Sequence, residues 1–208
     1  MSEKIPYNIA YWHNQISRNG ICGDALNSML QKSIRRAQER NALAAAYEMY
    51  ITSPAYLEML WKRLMCISVE DIGFGEPNAP DLICTLNEIR QEFPYEDPDQ
   101  ALFFVHAVRY LCRCKKERTN DHLRGLVKRA FANGYVPEIP DYALDMHTTR
   151  GRQMGRDLVH FAEEASRVEN EIDDDELRAI HAEFLEFCKK EHTGEAETEP
   201  LTNNCWQY

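Results

Sequence analysis

The densest group of side chains able to do chemistry lies between Asp141 and Glu164, in and after a proline-bounded loop. Carboxylates and imidazoles are common metal ligands, and the spacing of His160 and Glu164 predicts that both lie on one face of a helix. The candidate metal ligands are Asp145, His147, His160 and Glu164. Guanidinium groups bind phosphate through charge-assisted hydrogen bonds. The candidate anion-binding residues are Arg150, Arg152 and Arg156.

These side chains also fit a purely structural use. Arginines and carboxylates this close in sequence usually pair with each other and fix a loop against the helical body, and this is the interpretation that we favour. Anion binding is the first alternative and metal binding is the second. The acidic pair Glu70 and Asp71, which opens a glycine- and proline-rich stretch, is either a loop-orienting pair or a pair of metal ligands, and we expect the first.

A second candidate site is basic and runs from residue 109 to residue 129. It holds eight cations against two carboxylates, Glu117 and Asp121, which is a local surplus of +6. A surplus that spans one helix end and the next helix start is the electrostatic footprint of nucleic-acid-binding proteins. The candidate DNA-contacting residues are Arg109, Arg113, Lys115, Lys116, Arg118, Arg124, Lys128 and Arg129. The alternative is a solvated surface whose cations complement a helix C-terminus.

Signatures of nucleotide and hydrolase chemistry are missing from the sequence. It contains no G-x-x-x-x-G-K-[ST] phosphate loop and no G-x-S-x-G nucleophile elbow. ATP hydrolysis by this chain is therefore not expected, and no cofactor is predicted. An enzyme remains only as an alternative, in which the 141–164 constellation supplies a metal- or phosphate-dependent site.

The elements that must position these residues are helical. Apolar residues recur with helical spacing almost throughout and no window alternates as a strand does, which predicts an all-α fold. Ser53–Pro54 and Asp97–Pro98 each combine a capping residue with a proline, the usual start of a helix. Helices are predicted over residues 24–40, 41–50, from 54 onward, 81–93, 101–112, 119–133, 158–168 and 177–190, with loops over 69–80 and 135–156.

Length and composition favour one globular domain with appendages. The 208 residues, 44% hydrophobic and 28% charged, exclude a collagen-like, fully disordered or multi-pass membrane chain. We predict an N-terminal lead (1–23), a helical domain (24–168), an acidic helix (169–190) and a disordered tail (191–208). The formal net charge of −10 argues against nucleic-acid binding at first, but residues 169–200 alone contribute −9. The remaining residues are nearly neutral, so acidity does not exclude DNA.

Cysteine usage and hydropathy predict a cytoplasmic protein without a membrane segment. The seven cysteines are scattered, the N-terminus lacks the apolar core of a signal peptide, and no run of about 18 apolar residues occurs. Reduced thiols are expected in that compartment. Cys112 and Cys114 form a C-x-C pair without a second pair at zinc-finger spacing, so a structural metal there is not expected.

Three motifs resemble the replication-associated recombination protein A family of AAA+ ATPases (RarA/MgsA, related to the Werner-helicase-interacting protein). The segment 24–35, DALNSMLQKSIR, is similar to the family's "ALxKSxRG" helix, with Arg36 in place of the glycine. The segment 68–73 with Glu76–Pro77 is similar to "AxEDIGxAxP". The segment 100–114 is similar to "AxAxxYLA", and Lys115 stands near the usual "PKSN", whose proline and Ser-Asn are missing here.

The resemblance implies the clamp-loader-like helical collar of that family, a multi-helix orthogonal bundle, without the ATPase module. It also implies a homo-oligomer, dimer or tetramer, and an AAA+ ATPase or replication protein as partner. We therefore predict a non-enzymatic, self-associating helical module linked to DNA replication or recombination-repair, which contacts DNA through the basic stretch. The alternative is a metal- or phosphate-dependent enzyme, or a ligand-binding protein, that uses the 141–164 constellation.

Overall fold

The computed structural model describes residues 12–195 and divides them into two compact units, 12–135 and 136–195. Within these residues the structure is helical, and the only β-pairing is a single bridge between Ile16 and Cys22. The predicted all-α class is confirmed. The boundary between the units falls inside the domain predicted over 24–168, at an exposed segment where Pro137 and Pro140 lack the backbone N–H groups that a helix needs.

The first unit is built from six helices over residues 23–132. They are α1 (Gly23–Arg35), α2 (Glu39–Thr52), α3 (Pro54–Ile67), α4 (Ala79–Ile89), α5 (Gln100–Arg113) and α6 (Thr119–Ala132). A π-helical turn (Ser68–Ile72) and a 3-10 turn (Gly73–Gly75) continue α3, and a second 3-10 turn (Arg90–Glu92) continues α4.

The core of this unit lies between the apolar faces of α1 to α5. Alanines 42, 45 and 46 are buried on α2, and their small size lets α1 and α5 pack closely against it. Burying each large aliphatic side chain contributes about 1.5–3 kcal/mol. The fully buried side chains include Leu26, Leu30, Ile34, Met49, Leu60, Trp61, Leu64, Ile83, Phe104, Val108 and Leu111.

Local sequence signals predict some helix ends correctly and miss others. Ser53 Oγ accepts the backbone N–H of Tyr56 at 3.3 Å, so α3 begins at the predicted Ser-Pro cap. The helix predicted over 24–40 instead ends at Arg35, because Ala37 adopts φ +56°. Its N–H and that of Gln38 bond back to the last turn of α1, a left-handed helix end that usually carries glycine.

The stretch predicted as a loop over 69–80 begins with two helical turns, so that prediction is wrong up to Gly75. Two glycines allow these turns to pack directly on the backbone of residues 115–117. A Cβ at Gly73, which has φ +52°, would lie 2.6 Å from Glu117 O, and one at Gly75 would lie 2.5 Å from Lys115 O. Because no larger residue fits at these distances, both glycines serve close packing rather than chain flexibility.

The second unit contains short helices and one long one. They are a 3-10 turn (Asp141–Ala143), α7 (Thr149–Gln153), α8 (Leu158–His160) continued by a π-helical turn (Phe161–Ala165), and α9 (Asp175–Thr193). Asp174 caps α9 by accepting the N–H groups of Glu176 at 2.8 Å and Leu177 at 3.2 Å, in line with the acidic start predicted there. Leu144, Ala162 and Cys188 are buried.

Two predicted segments reach past the described residues. Residues 191–193 of the predicted disordered tail belong to α9, and 196–208 lie outside the described residues, as do 1–11 of the predicted lead. None of the helices in residues 12–195 combines the length and the apolar content needed to cross a bilayer.

Candidate functional site

The carboxylate of Asp71 is fully buried and is bound by side chains from two distant segments. Arg35, the last residue of α1, donates from Nε to Asp71 Oδ1 at 2.5 Å, and Gln31 Nε2 donates to Oδ2 at 2.9 Å. Arg118, just before α6, completes the arrangement with its Nε 3.0 Å from Oδ1. Burying an unpaired carboxylate is costly, so the two guanidinium groups make this position tolerable.

Glu70 adds a second carboxylate to the same pair of arginines. Its Oε1 lies 3.5 Å from Arg35 Nη2 and 3.7 Å from Arg118 Nη2. The hydrogen bond that Arg35 donates to Asp71 raises the pKa of Arg35 above its usual value. We call Gln31, Arg35, Glu70, Asp71 and Arg118 the Asp71 cluster. Its cations are arginines that are permanently charged, which is the arrangement of a structural ion network rather than of a metal site.

The Asp71 cluster joins two of the segments that carry the family resemblance, 24–35 and 68–73, to the residues at the start of α6. The backbone N–H of Glu117 donates to Asp71 O at 3.1 Å, and Asn120 Nδ2 donates to Val69 O at 3.0 Å. The first turn of α6 is therefore fixed to the π-helical turn, which is itself fixed to the end of α1. The sequence motifs identify the segments 24–35 and 68–73, but their contact with each other and with the start of α6 is visible only in the structure.

Helix α6 is held at its start but buries none of its 14 residues. Its apolar side chains recur at helical spacing on one face, and each is more than half exposed: Leu123 52%, Leu126 63%, Val127 56% and Phe131 53%. We call these four residues the α6 stripe. Contiguous exposed apolar surface is typical of interaction sites. Sequence reasoning singled out only the cations of this helix, although the spacing of the stripe was readable.

The eight predicted DNA-contacting cations divide into two groups. Arg109 and Arg113 lie 2.9 and 3.5 Å from the carboxylate of Glu39 on α2. Lys116 Nζ donates to three carbonyls at the end of α5, those of Leu111, Cys112 and Cys114 at 2.9, 3.0 and 2.6 Å. Burial lowers the pKa of Lys116. With Arg118 in the Asp71 cluster, four of the eight cations hold the first unit together.

The other four cations lie on the surface at or beside α6. Lys115, Lys128 and Arg129 are exposed, and Arg124 is exposed while it pairs with Asp121 at 2.6 Å. The ion pair with Arg124 lowers the pKa of Asp121. Arg109 and Arg113 are exposed as well, so six of the eight cations lie on the surface, and three of the six lie on the helix that carries the exposed stripe.

The arginines of the second unit hold their own loop. Arg156 Nη2 lies 2.6 Å from both carboxylate oxygens of Asp141, and its Nη1 donates to Leu144 O at 2.5 Å. Arg152 Nη1 donates to Met146 O at 3.0 Å. These bonds support the loop-fixing interpretation for Arg152 and Arg156, whereas Arg150 is exposed.

The four candidate metal ligands of the second unit do not assemble. Asp145 Oδ2 binds His147 Nδ1 at 2.9 Å, and Glu164 pairs instead with Arg167 at 3.1 Å. The backbone N–H of His160 is capped by Asp157 at 3.0 Å. Across residues 12–195, no three histidine, cysteine or acidic side chains are grouped so that they could hold a metal ion. The described geometry thus gives the metal alternative no support.

The comparisons with known proteins agree with the motifs in part. No protein-family model matches the chain. The chain is similar to the replication-associated recombination protein A of Bacillus subtilis (strain 168), with 28% identity over 134 residues. The match covers 63% of this chain and 30% of the relative, so the chain spans less than a third of the relative's length. The chain is thus similar, over part of its length, to a replication-associated recombination protein.

Proposed function

We propose that this chain is a non-enzymatic helical module that self-associates through α6 and serves DNA replication or recombination-repair. The observation that carries the proposal is the α6 stripe. Four large apolar side chains, each more than half exposed, stand on a helix that is fixed at its start to the π-helical turn and that buries none of its 14 residues. Covering each of them on association gains a fraction of the roughly 1.5–3 kcal/mol that full burial contributes.

A second copy of the chain is the occupant we assign to this stripe. In a twofold dimer the same patch meets itself, so one self-complementary apolar stripe is enough to form the interface. Leu123, Val127 and Phe131 recur every four residues along one side of α6 and Leu126 borders them, which gives two copies a continuous row of apolar contacts when they pack side by side.

The absence of a catalytic role is supported by how the polar residues are used. Asp71 is bound by two arginines and an amide, and Asp141 is held by Arg156. These carboxylates are committed to ion pairs that join segments of the chain, and such pairs serve structure. Two candidate residues, Asp71 and Arg156, are thus committed to ion pairs within the fold.

The link to DNA rests on the basic edge of the same helix. Arg124 and Lys128 each follow a stripe residue by one position, and at about 100° per residue both border the α6 stripe on the side of Phe131. The proposed DNA contact therefore lies next to the proposed dimer surface on the same helix. The similarity to a replication-associated recombination protein supports this setting, and an AAA+ ATPase or replication protein is the partner class we propose.

The test is the molar mass in solution as a function of concentration, measured by light scattering after size exclusion. The native chain is expected to exceed the monomer mass as concentration rises. Leu126→Glu places a charge in the stripe at a position that is 63% exposed, so it should give a monomer with an unchanged helical circular dichroism spectrum. Leu102→Glu is the matched control, because Leu102 is 62% exposed on α5. A monomeric native chain, or equal effects of both substitutions, would refute the assignment.

A further inference from the structure

A cavity of about 620 Å³ opens in the second unit, between α9 and the residues around α8. This volume lies within the roughly 300–1,000 Å³ that small-molecule sites occupy. Its apolar wall is formed by Met146, Leu158, Phe161 and Phe184. Two of these side chains are aromatic, and aromatic rings provide flat apolar surface on which a planar ligand can pack.

The polar residues that line the cavity are two acids, Asp157 and Glu191, and two histidines, His147 and His192. His192 directs Nδ1 to Asp157 Oδ2 at 2.7 Å, and His147 directs Nδ1 to Asp145 Oδ2 at 2.9 Å. The two acids of the lining accept hydrogen bonds when they are ionised and offer no donor.

The described residues that line this cavity include neither lysine nor arginine. Both lysines of α9 are paired elsewhere, Lys189 with Glu163 at 2.7 Å and Lys190 with Glu186 at 2.7 Å. An anionic ligand would therefore face two acids without a lysine or arginine to compensate its charge, which disfavours the phosphate-dependent alternative for this part of the chain.

We propose that the cavity binds a small cation with an apolar aromatic body, such as an aromatic amine. The aromatic body packs against Phe161 and Phe184, and the ammonium group donates to the acids of the lining, with Glu191 as its charged partner. An ammonium group offers donors and no acceptor, so it matches a lining that holds two acids and neither lysine nor arginine, and the nearby rings favour a cation further. The site lies in the second unit and does not depend on self-association through α6.

The experiment is an NMR titration of the full ¹⁵N-labelled chain with three indoles that share one body. Tryptamine carries an ammonium group, tryptophol a neutral hydroxyl and indole-3-propionate a carboxylate. Tryptamine is expected to shift the amide signals of the cavity residues and to bind at least several-fold more tightly than tryptophol, with indole-3-propionate weakest. Tighter binding of the carboxylate, or no cavity shifts with any of the three, would overturn the proposal.

Two exposed glutamates of α9 provide a matched pair of variants. Glu191→Gln removes the charge from the cavity wall and should weaken tryptamine binding roughly fivefold, the upper range for a solvent-exposed ion pair, while tryptophol binding changes little. Glu183→Gln makes the same change on α9 outside the lining and should leave both affinities unchanged. Equal weakening by the two variants would show a response to bulk charge and would reject the site.

Discussion

Arg35 and Asp71 form a hydrogen-bonded ion pair across 36 positions of the sequence, with the carboxylate fully buried and the arginine side chain 26% exposed. The pair fastens the end of α1 to the π-helical turn after α3. Arg118 approaches the same carboxylate from the segment before α6, so one buried charge determines where the exposed helix begins. The orientation of the α6 stripe therefore depends on Asp71, which is not part of that surface.

Replacing Asp71 should destabilise the first unit strongly. Asp71→Asn keeps the shape of the side chain but removes the charge between Arg35 and Arg118, and breaking a buried ion pair on one side costs about 3 kcal/mol or more. Urea unfolding followed by circular dichroism measures the free energy of unfolding. Asp121→Asn is the control, since Asp121 pairs with the same Arg118 at a more exposed position and should cost less than about 1 kcal/mol. Equal losses would contradict a special role for the buried pair.

The sequence correctly predicted the features that depend on residues close together in the chain, namely helix starts and buried helix faces. The Ser53–Pro54 start of α3 follows from a cap and a proline, and the buried face of α5 follows from apolar spacing. The Asp71 cluster could not be predicted, because its ion pairs and hydrogen bonds join residues 35 positions apart or more, and no local pattern shows which arginine meets which carboxylate. Glu70 and Asp71 were recognised as a loop-orienting or metal-binding pair, but their burial and partners were not.

Helix α6 shows a different limit of sequence reasoning. Its apolar spacing is the pattern of a helix that packs on a core, and such a pattern does not distinguish a core from a partner molecule. Only the structure shows that Leu126 and its neighbours are exposed in the described chain. Likewise, α1 ends early because one alanine, Ala37, adopts a left-handed backbone conformation, which the sequence does not reveal.

Replacing that alanine by glycine should stabilise the protein. Ala37 has φ +56°, a backbone conformation that costs an L-residue about 1–2 kcal/mol. Glycine avoids this cost, but its greater freedom in the unfolded chain lowers stability by about 0.4–1 kcal/mol and so offsets part of the gain. Ala37→Gly should therefore raise the free energy of unfolding by about 0.5–1 kcal/mol in urea denaturation.

The reciprocal substitution tests the same reasoning at α6. Gly134 follows that helix with φ +84°, and a Cβ added there would meet no atom within 4 Å, so conformation alone decides the outcome. Gly134→Ala should lower the free energy of unfolding by a similar amount. Stabilisation by both substitutions would show that a factor other than backbone conformation controls these helix ends.

Glu48 should make the stability of the first unit depend on pH. Ser17 Oγ donates to its Oε1 at 2.6 Å, and Asn19 donates from its backbone N–H at 2.9 Å. The bond from Ser17 lowers the pKa of Glu48 below its usual 4.5, so the charged form is favoured in the folded state. The stabilisation is complete above about pH 4.5 and is lost as the pH falls through the lowered pKa.

The measurement is the free energy of unfolding across an acid pH series for the native chain and Glu48→Gln. The variant should be less stable at neutral pH, and the difference between the two proteins should shrink in acid because the native side chain also becomes neutral. Glu88→Gln, an exposed position on α4, controls for the loss of one charge. A difference that stays constant with pH would mean that the hydrogen bonds of Glu48 do not depend on its ionisation.

DNA contact through the basic edge of α6 should appear as salt-dependent binding. Each phosphate contact releases counterions, so removing one cation that touches phosphate lowers the slope of log affinity against log salt by about 0.9. Lys128→Ala should weaken binding to a fluorescein-labelled DNA duplex at low salt and reduce that slope by about one contact. Lys32→Ala, an exposed lysine of α1 outside the basic stretch, is the matched control and should change neither quantity. If the native chain, Lys128→Ala and Lys32→Ala all gave the same slope of log affinity against log salt, DNA binding would be removed from the role proposed for α6. Self-association through α6 is tested separately, by the molar mass of Leu126→Glu.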